Sequence, residues 1–383
     1  MKLTLEEITK DNGLIADGDW IETRDQDPAG NIRLIQLADI GDRQFLNKSK
    51  KFINEATASR LNCTFLQEGD ILIARMPDPL GRACVFPKLN TPAITAVDIC
   101  IVRPNKTLVD RDWLVFCLNS PRIRKGIQFH AQGATRARVP TGKLKQIDLV
   151  LPKLSDQRQI AAQLKAQLAE VDRARQAAQA QLREAVNLAD AIIFESIRNG
   201  KTASTSLGGV LQEISNGVGE SWADYQVLGA TRDGLAPAKE PPGKKPQRYK
   251  PVFPGTVFYN PMRILIGSIA MVDDDDTPGI TSPDYVALKG KSGLVDSRWF
   301  YYWLRSPLGK QCILSLARGA VRERMLFNRL AEGKIDLPSF KTQQKASMAL
   351  AAIKPMRQAI EFQLREIDLL PQKILAQAFE IQS

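Results

Sequence analysis

Histidine is almost missing from this sequence: His130 is the only one in 383 residues. Multi-histidine metal sites and histidine-based triads are thereby scarcely possible, and a lone histidine at a helix end reads as structural or solvated. Cysteine is sparse too. Cys63, Cys84, Cys100, Cys117 and Cys312 are scattered with no C-x-x-C pair, so buried thiols in a reducing compartment are expected and a zinc site or disulfide framework is not. The phosphate-cradling pattern G-x-x-x-x-G-K-[ST] does not occur, which argues against nucleotide-driven translocation by this chain. No apolar run reaches the roughly eighteen residues of a membrane span, and Met1 to Lys10 alternates charge with Leu and Ile where a signal peptide would be apolar. A cytoplasmic location is the expectation. No catalytic residue, metal or cofactor is expected.

What is present is positive charge and order. Lys and Arg exceed Asp and Glu to give a net charge of +11 and a pI near 9.4, which suits a polyanionic ligand. Hydrophobic residues make up 44% and charged residues 25%, the balance of an ordinary globular protein, and the length predicts two or three domains.

From Ile160 apolar residues recur at steps of three and four: Leu164, Leu168, Val171, Ala174, Ala178, Leu182, Ala185, Ala189 and Ile192. Their mean spacing approaches the seven-residue repeat of a coiled-coil seam. No glycine or proline interrupts the chain between Pro152 and Gly200, so a rod of about 60 Å follows from the helical rise. Its apolar stripe needs a partner. Leu350, Ile353, Met356, Ile360, Leu364, Ile367, Leu370 and Ile374 supply one between Ala346 and Ala378, with Pro355 and Pro371 expected to kink or fray it locally.

A repeat is the strongest feature. Trp113 and Trp299 stand 186 residues apart, and the same offset relates Pro121 to Pro307, Gly69 to Gly255, Gly81 to Gly267, Gly133 to Gly319, Pro152 to Pro338 and Gln157 to Gln343. Thr91-Pro92-Ala93-Ile94-Thr95 matches Thr277-Pro278-Gly279-Ile280-Thr281 in the same way. The chain is a tandem duplication of a globular unit followed by a long helix. Short β-branched runs bounded by Gly, Pro or Asn (Asn31 to Ile40, Ile71 to Arg75, Gly81 to Phe86, Ala96 to Val102) predict strands, and Asp112 to Asn119 and Arg122 to His130 predict helices. The second copy repeats that order.

These residues carry a resemblance. Leu151-Pro152-Lys153-Leu154-Ser155-Asp156-Gln157 and Leu337-Pro338-Ser339-Phe340-Lys341-Thr342-Gln343 each close a globular unit and open a helix, and Glu68-Gly69-Asp70-Ile71-Leu72-Ile73 precedes Gly81-Arg82. In order, duplication and spacing the whole chain resembles the specificity subunit of type I restriction-modification systems. It departs where Thr342-Gln343 replaces the acidic residue and glutamine that Asp156-Gln157 keeps, and in the prolines of the second helix.

The resemblance implies an α/β (α+β) protein. Its tandem pseudo-twofold repeat has two target recognition domains, residues 1–153 and 200–339, and two spacer helices, 154–199 and 340–383, packed as an antiparallel coiled coil. It further implies a non-catalytic subunit that reads a bipartite, asymmetric site in double-stranded DNA. Two modification subunits, which bind S-adenosylmethionine and methylate adenine, are the implied partners, and restriction subunits with ATP-driven motors extend the set. The helix pair would set the gap between half-sites.

Candidate DNA contacts follow from charge and placement. Arg136 and Arg138, with Arg322 and Arg324 at the same offset, follow a Gly-Ala turn; guanidinium groups there suit phosphate or guanine, and a solvated face or an ion pair with Glu323 is the alternative. Arg75, Arg82, Arg122, Arg124, Lys125, Lys143 and Lys145 in the first copy and Arg263, Arg318 and Arg329 in the second complete the set. The Pro-rich stretch 239–250, with Lys244, Lys245, Arg248 and Tyr249, has no counterpart in the first copy and serves either as a groove-reaching loop or as a surface connection. The acidic turn Asp273 to Asp276 would repel DNA and is expected to face away from it. Phe258-Tyr259-Asn260-Pro261-Met262 superficially resembles the Asn-Pro-Pro-aromatic tetrapeptide of amino-methyltransferases, lacks its second proline and stacking aromatic, and reads as a strand end. Two other functions compete with DNA reading: a scaffold gripping a protein or RNA, and a self-contained methyltransferase. Steep salt dependence with target preference excludes the first, and absence of S-adenosylmethionine binding by the isolated chain excludes the second.

Overall fold

The computed structural model describes residues 1–133, 137–317 and 324–380. The chain divides into two compact units, Met1–Gln176 with Arg365–Ser383, and Ala177–Leu364.

In the first unit an antiparallel sheet has the strand order Leu14–Asp17, Ile99–Arg103, Ile71–Ala74, Ala83–Val85. Alternate side chains of its central strands enter different cores, as the two-residue period of a strand requires. Ile71, Ile73, Cys100 and Val102 pack with Trp113, Leu114 and Ile127 of the helices. Leu72, Ala74, Ile99 and Ile101 pack with Ile35 and Ile40 on the other side. Burial on both faces explains why these strands read as unbroken apolar runs. A smaller sheet, in the order Lys51–Ile53, Ile32–Ile35, Ala93–Thr95, forms the outer layer, and its last two strands are parallel. Lys2–Thr4 pairs with Asp148–Val150 and ties the start of the chain to the end of the globular part.

The second unit has the same plan. Its main sheet runs Leu211–Glu213, Val286–Gly290, Val257–Tyr259, Ile269–Met271, and its smaller one Gly234–Pro237, Gln226–Thr231, Gly279–Thr281, Lys250–Val252, again with one parallel pair. Thr202–Ser206 pairs with Lys334–Pro338. The helices Arg111–Leu118 and Ser297–Arg305 start identically: the Asp110 carboxylate accepts from Trp113 N–H at 2.9 Å and that of Asp296 from Trp299 N–H at 3.0 Å. Pro121 and Pro307 open the next helix of each unit, where a missing N–H costs nothing. Gly69 and Gly255 (φ +94° and +81°) and Gly81 and Gly267 (φ +80° and +87°) hold turns that a side chain would strain.

Leu154–Arg198 is one uninterrupted helix, part of it in each unit. Ala161, Leu164 and Leu168 share a core with Leu375 and Phe379. Arg175, further along, bonds Asp368, which lies earlier in the C-terminal helix, so the two helices run in opposite directions there. In the second unit Ala189 and Ile193 share a core with Ala346, Leu350 and Ile353. Gly200 lies against Pro338 and Thr342, and the pairing is again antiparallel.

The C-terminal segment differs from expectation. It forms two helices, Phe340–Ala351 and Ile353–Glu380. Pro355 sits in the first turn of the second, where its lost N–H breaks no bond of that helix, and the missing donor falls at the junction. Pro371 does not end its helix, which continues to Glu380. The predicted strand Asn31 to Ile40 shortens to Ile32–Ile35 because Leu37–Asp39 forms a single tight turn, closed by the Asp39 carboxylate accepting from Gln36 N–H at 2.8 Å.

Candidate nucleic-acid interface

Each unit opens a cleft at the carboxyl end of its parallel strand pair. In the first, a space of about 410 Å³ is lined by Asp19, Trp20, Glu22, Gln26, Gln36 and Asp98 among others. In the second, a space of about 510 Å³ is lined by Arg232, Lys239, Tyr249, Arg263, Ser282 and Tyr285 among others. The clefts correspond: Gln36 and Leu228 follow Ile35 and Val227, the last residues paired in parallel in the smaller sheets, and Ala96 and Ser282 follow the partner strands. Their linings do not. The first is acidic and amide-bearing, with Trp20 67% exposed at its edge. Burial pushes the Asp19 carboxyl up to about 6, against hydrogen bonds from Thr64 N–H and Cys63 that favour its charge. The second is cationic and aromatic.

The predicted arginines separate into two groups. Arg75, Arg82 and Arg124 are buried, and their guanidinium groups are spent inside the first unit, so these three are corrected from DNA contacts to structural residues. Arg75 donates to Val139 O at 2.9 Å, Val97 O at 3.1 Å and the Asp17 carboxylate at 2.6 Å. Arg82 donates to the carbonyls of Ile40, Pro79 and Leu37, and Arg124 to Leu80 O and Asp42. A buried cation persists only where carbonyls and carboxylates replace its water. Arg329 is corrected likewise: it donates twice to Leu316 O, at 3.0 and 2.8 Å, and so caps the helix Pro307–Leu316.

Arg122 and Lys125 are exposed on the helix Pro121–Phe129, three positions apart, with Phe129 one turn on and 85% exposed. Leu308, Gln311 and Ser315 hold the matching positions in the second unit, so this basic, aromatic face belongs to the first alone. Lys143 is exposed and Lys145 pairs with Glu6. In the second unit Lys244, Lys245, Arg248 and Arg263 are exposed, and the Tyr249 hydroxyl accepts from Gly243 N–H at 3.0 Å, tying the Pro-rich loop beside the cleft. Arg138 pairs with Asp98, which lines the first cleft, and Arg324 pairs with Asp284, which in sequence lies between Ser282 and Tyr285 of the second. The predicted contacts Arg136, Arg318 and Arg322, and the alternative partner Glu323, lie outside the described residues.

The acidic turn is bound up within its own unit. Arg298 donates to Asp273 and Asp274, and Lys354 of the C-terminal helix to Asp276. Burial raises the Asp273 carboxyl, and hydrogen bonds from Arg298 and Asp274 N–H with the charges of Arg298 and Lys354 outweigh it, holding it below the usual range. Tyr259 is buried at the end of its strand, with no face to offer an extruded base.

Arg232, Gln26, Gln36 and Trp20 escaped the sequence reading, whereas Lys239 opens the Pro-rich stretch it singled out. Arg232 and Asp233 form the two-residue loop between paired Thr231 and Gly234. Two glutamines at the helix starts emerge as clamps. Gln157 Oε1 accepts from Asp110 N–H at 2.9 Å while its Nε2 donates to Leu108 O and Pro152 O at 3.1 and 3.0 Å. Gln343 repeats all three bonds, with Asp296 N–H, Leu294 O and Pro338 O at 3.0, 3.0 and 2.8 Å.

Comparison with known proteins agrees with this architecture. Residues 10–181 match the family model described as the type I restriction modification DNA specificity domain. No curated protein matches the chain. A solved structure titled for complex assembly and conformational transition of the type I R-M system is similar at 16% identity, with a TM-score of 0.68, covering 99% of this chain and 97% of that one. The HsdS subunit from Thermoanaerobacter tengcongensis is similar at 17% identity, with a TM-score of 0.53, covering 99% of this chain and 96% of that one. Among the described residues no helix is long and apolar enough to cross a membrane. The match to the DNA specificity domain thus lies in the first unit, the second unit carries a similar main sheet, and along its length the chain has the fold of these type I restriction-modification structures.

Proposed function

We propose that the two clefts are where this specificity subunit reads its target, one half-site to each, and that their unlike linings make the target asymmetric. The observation that carries this is the pairing of equivalent clefts with opposite chemistry. In the first, Gln26 and Gln36 suit adenine and the carboxylate of Glu22 suits the cytosine amino group. Such a cleft holds little positive charge, so the exposed Arg122, Lys125 and Lys143 supply its phosphate contacts, with Phe129 as an apolar neighbour. In the second, Arg232, Arg263, Lys239, Lys244, Lys245 and Arg248 supply both kinds of contact. Residues 1–153 and 200–339 are the reading domains in this account, and 154–199 and 340–383 the spacer helices.

The chain acts without chemistry of its own, in the cytoplasm, on behalf of two modification subunits and of restriction subunits where these join them. Exposed apolar side chains on the helices, among them Val186, Leu188, Phe194 and Met348, offer those partners a docking surface. The test is to purify the chain with its modification subunits and sequence the methylated genomic sites. A single motif with two unlike halves is expected, with binding that weakens steeply as salt rises. Binding without sequence preference would instead favour a protein or RNA scaffold.

A further inference from the structure

Of the ion pairs among the described residues, one recurs at the same place in both units. Arg138 Nε lies 3.5 Å from Asp98 Oδ1, and Arg324 Nη2 lies 3.2 Å from Asp284 Oδ1. Both members of the second pair stand 186 residues beyond those of the first. The backbone beside each arginine is pinned alike: Val139 N–H donates to Arg75 O and Met325 N–H to Pro261 O, both at 3.0 Å and again at the same offset. Asp98 lines the first cleft, and Ser282 and Tyr285, on either side of Asp284, line the second.

Stability does not account for the recurrence. The side chains of the first pair are 35% and 32% exposed and those of the second 50% and 81%, and pairs so wet contribute little to a fold. A phosphate contact does not account for it either, because an adjacent carboxylate cancels the attraction and repels the phosphate. Guanine asks for something else: two donors of one guanidinium held in the plane of O6 and N7. A carboxylate on one edge of the arginine fixes that plane while the other edge stays open. In Arg138 the orienting hydrogen bond runs from Nη2 to Val97 O at 3.0 Å, while Nε lies 3.5 Å from Asp98 without a hydrogen bond and Nη1 has no partner among the described residues; in Arg324 Nη2 itself donates to Asp284 at 3.2 Å.

We propose that Arg138 and Arg324 each read a guanine, at corresponding places in the two halves of the target, with Asp98 and Asp284 as positioning residues. The proposal rests on the reading of function given above. The test uses the full chain with its modification subunits, sequencing of methylated sites, and binding to cognate and non-cognate duplexes across salt. R138A is expected to relax one guanine position in one half-site and R324A one position in the other. Each should lower cognate affinity by about 10- to 100-fold, with non-cognate affinity and salt dependence unchanged. D98N relaxes the position that R138A relaxes, by a smaller factor, and D98E restores it. The charge swap D98R/R138D separates the roles: it restores a merely structural pair but leaves guanine selection lost. Loss spread evenly over all sequences with a shallower salt dependence would overturn the proposal in favour of phosphate contact, as would wild-type selectivity in the charge swap. If the wild-type complex selects no bipartite site, the reading of function fails. If it does and both arginine variants keep every position, only the guanine assignment fails.

Discussion

Trp113 and Trp299 occupy the same place in their units, and both are fully buried, yet the helices answer them differently. Trp113 meets the ring of Phe379 edge-on at 5.9 Å, and its indole N–H has no partner among the described residues. Trp299 donates its indole N–H to Ser196 Oγ at 2.9 Å. The glutamine clamps, by contrast, are the same bond for bond. The helix face that carries Arg122, Lys125 and Phe129 in the first unit carries Leu308, Gln311 and Ser315 in the second. The clamps agree bond for bond, whereas the tryptophan contacts and the exposed face around Arg122 have diverged.

The largest effects should therefore fall equally on both copies. Gln157→Leu or Gln343→Leu removes three hydrogen bonds and leaves a backbone N–H and two carbonyls without that partner, which should cost about 3 kcal/mol or more at about one to three for each. Chemical denaturation of the full chain measures it. A cost for one glutamine alone would break the equivalence of the clamps.

Next in size is the difference between the tryptophans. Ser196→Ala leaves the Trp299 indole N–H buried and unpaired, for a loss of about 1–2 kcal/mol. Trp113→Phe gives up no hydrogen bond seen here, whereas Trp299→Phe does, so the second should destabilise more, by about 1 kcal/mol. Equal costs would mean that the Ser196 contact adds nothing.

How much of this was legible beforehand depended on how far a feature reaches along the chain. Glycines at positive φ and prolines at helix starts keep their residue type in both copies, and the repeat was read from them together with the tryptophans and glutamines at the same offset. The clamps were visible only as a pair of glutamines, because their partners lie 47 and 49 residues away in each copy. The clefts were not visible at all: Arg33 pairs with Ala93 and Gln226 with Gly279 through parallel strands that no local pattern announces. Arg75, Arg82 and Arg124 were misread because charge in a sequence says nothing of burial, and each was one carbonyl-lined pocket away from being the surface cation it resembled.

Acid should separate the units in opposite senses, by a smaller amount. Asp19, in the first, has its carboxyl raised to about 6 by burial. A raised carboxyl binds its proton more tightly folded than unfolded, so the first unit loses stability as pH climbs from about 4 to about 6. Asp273, in the second, is held below the usual range, so its contribution is present above about pH 4 and lost as pH falls through the lowered value. Hydrogen exchange on the full chain, followed from pH 4 to 6.5 with the intrinsic rate divided out, should show protection falling around Asp19. Asp19→Asn should flatten that slope, and an unchanged slope would remove Asp19 as its source.

The weakest contrast lies between wet and dry charge. Arg175 donates to Asp172 and Asp368, each at 2.7 Å, and the side chain of Asp368 is 60% exposed. Water already solvates that carboxylate, so Asp368→Asn should cost about 0.5 kcal/mol, a difference that shrinks toward zero in 1 M salt, where the screening length falls to about 3 Å. Arg298 and Asp273 in the second unit are 19% and 14% exposed. Neutralising Asp273 leaves a guanidinium with less water to turn to, and mobile ions reach the gap poorly, so its larger cost should persist in the same salt. Denaturation midpoints of the two variants at low and high salt decide the matter: parallel shifts would mean that exposure does not govern these pairs, and that the two units hold their charges in the same way after all.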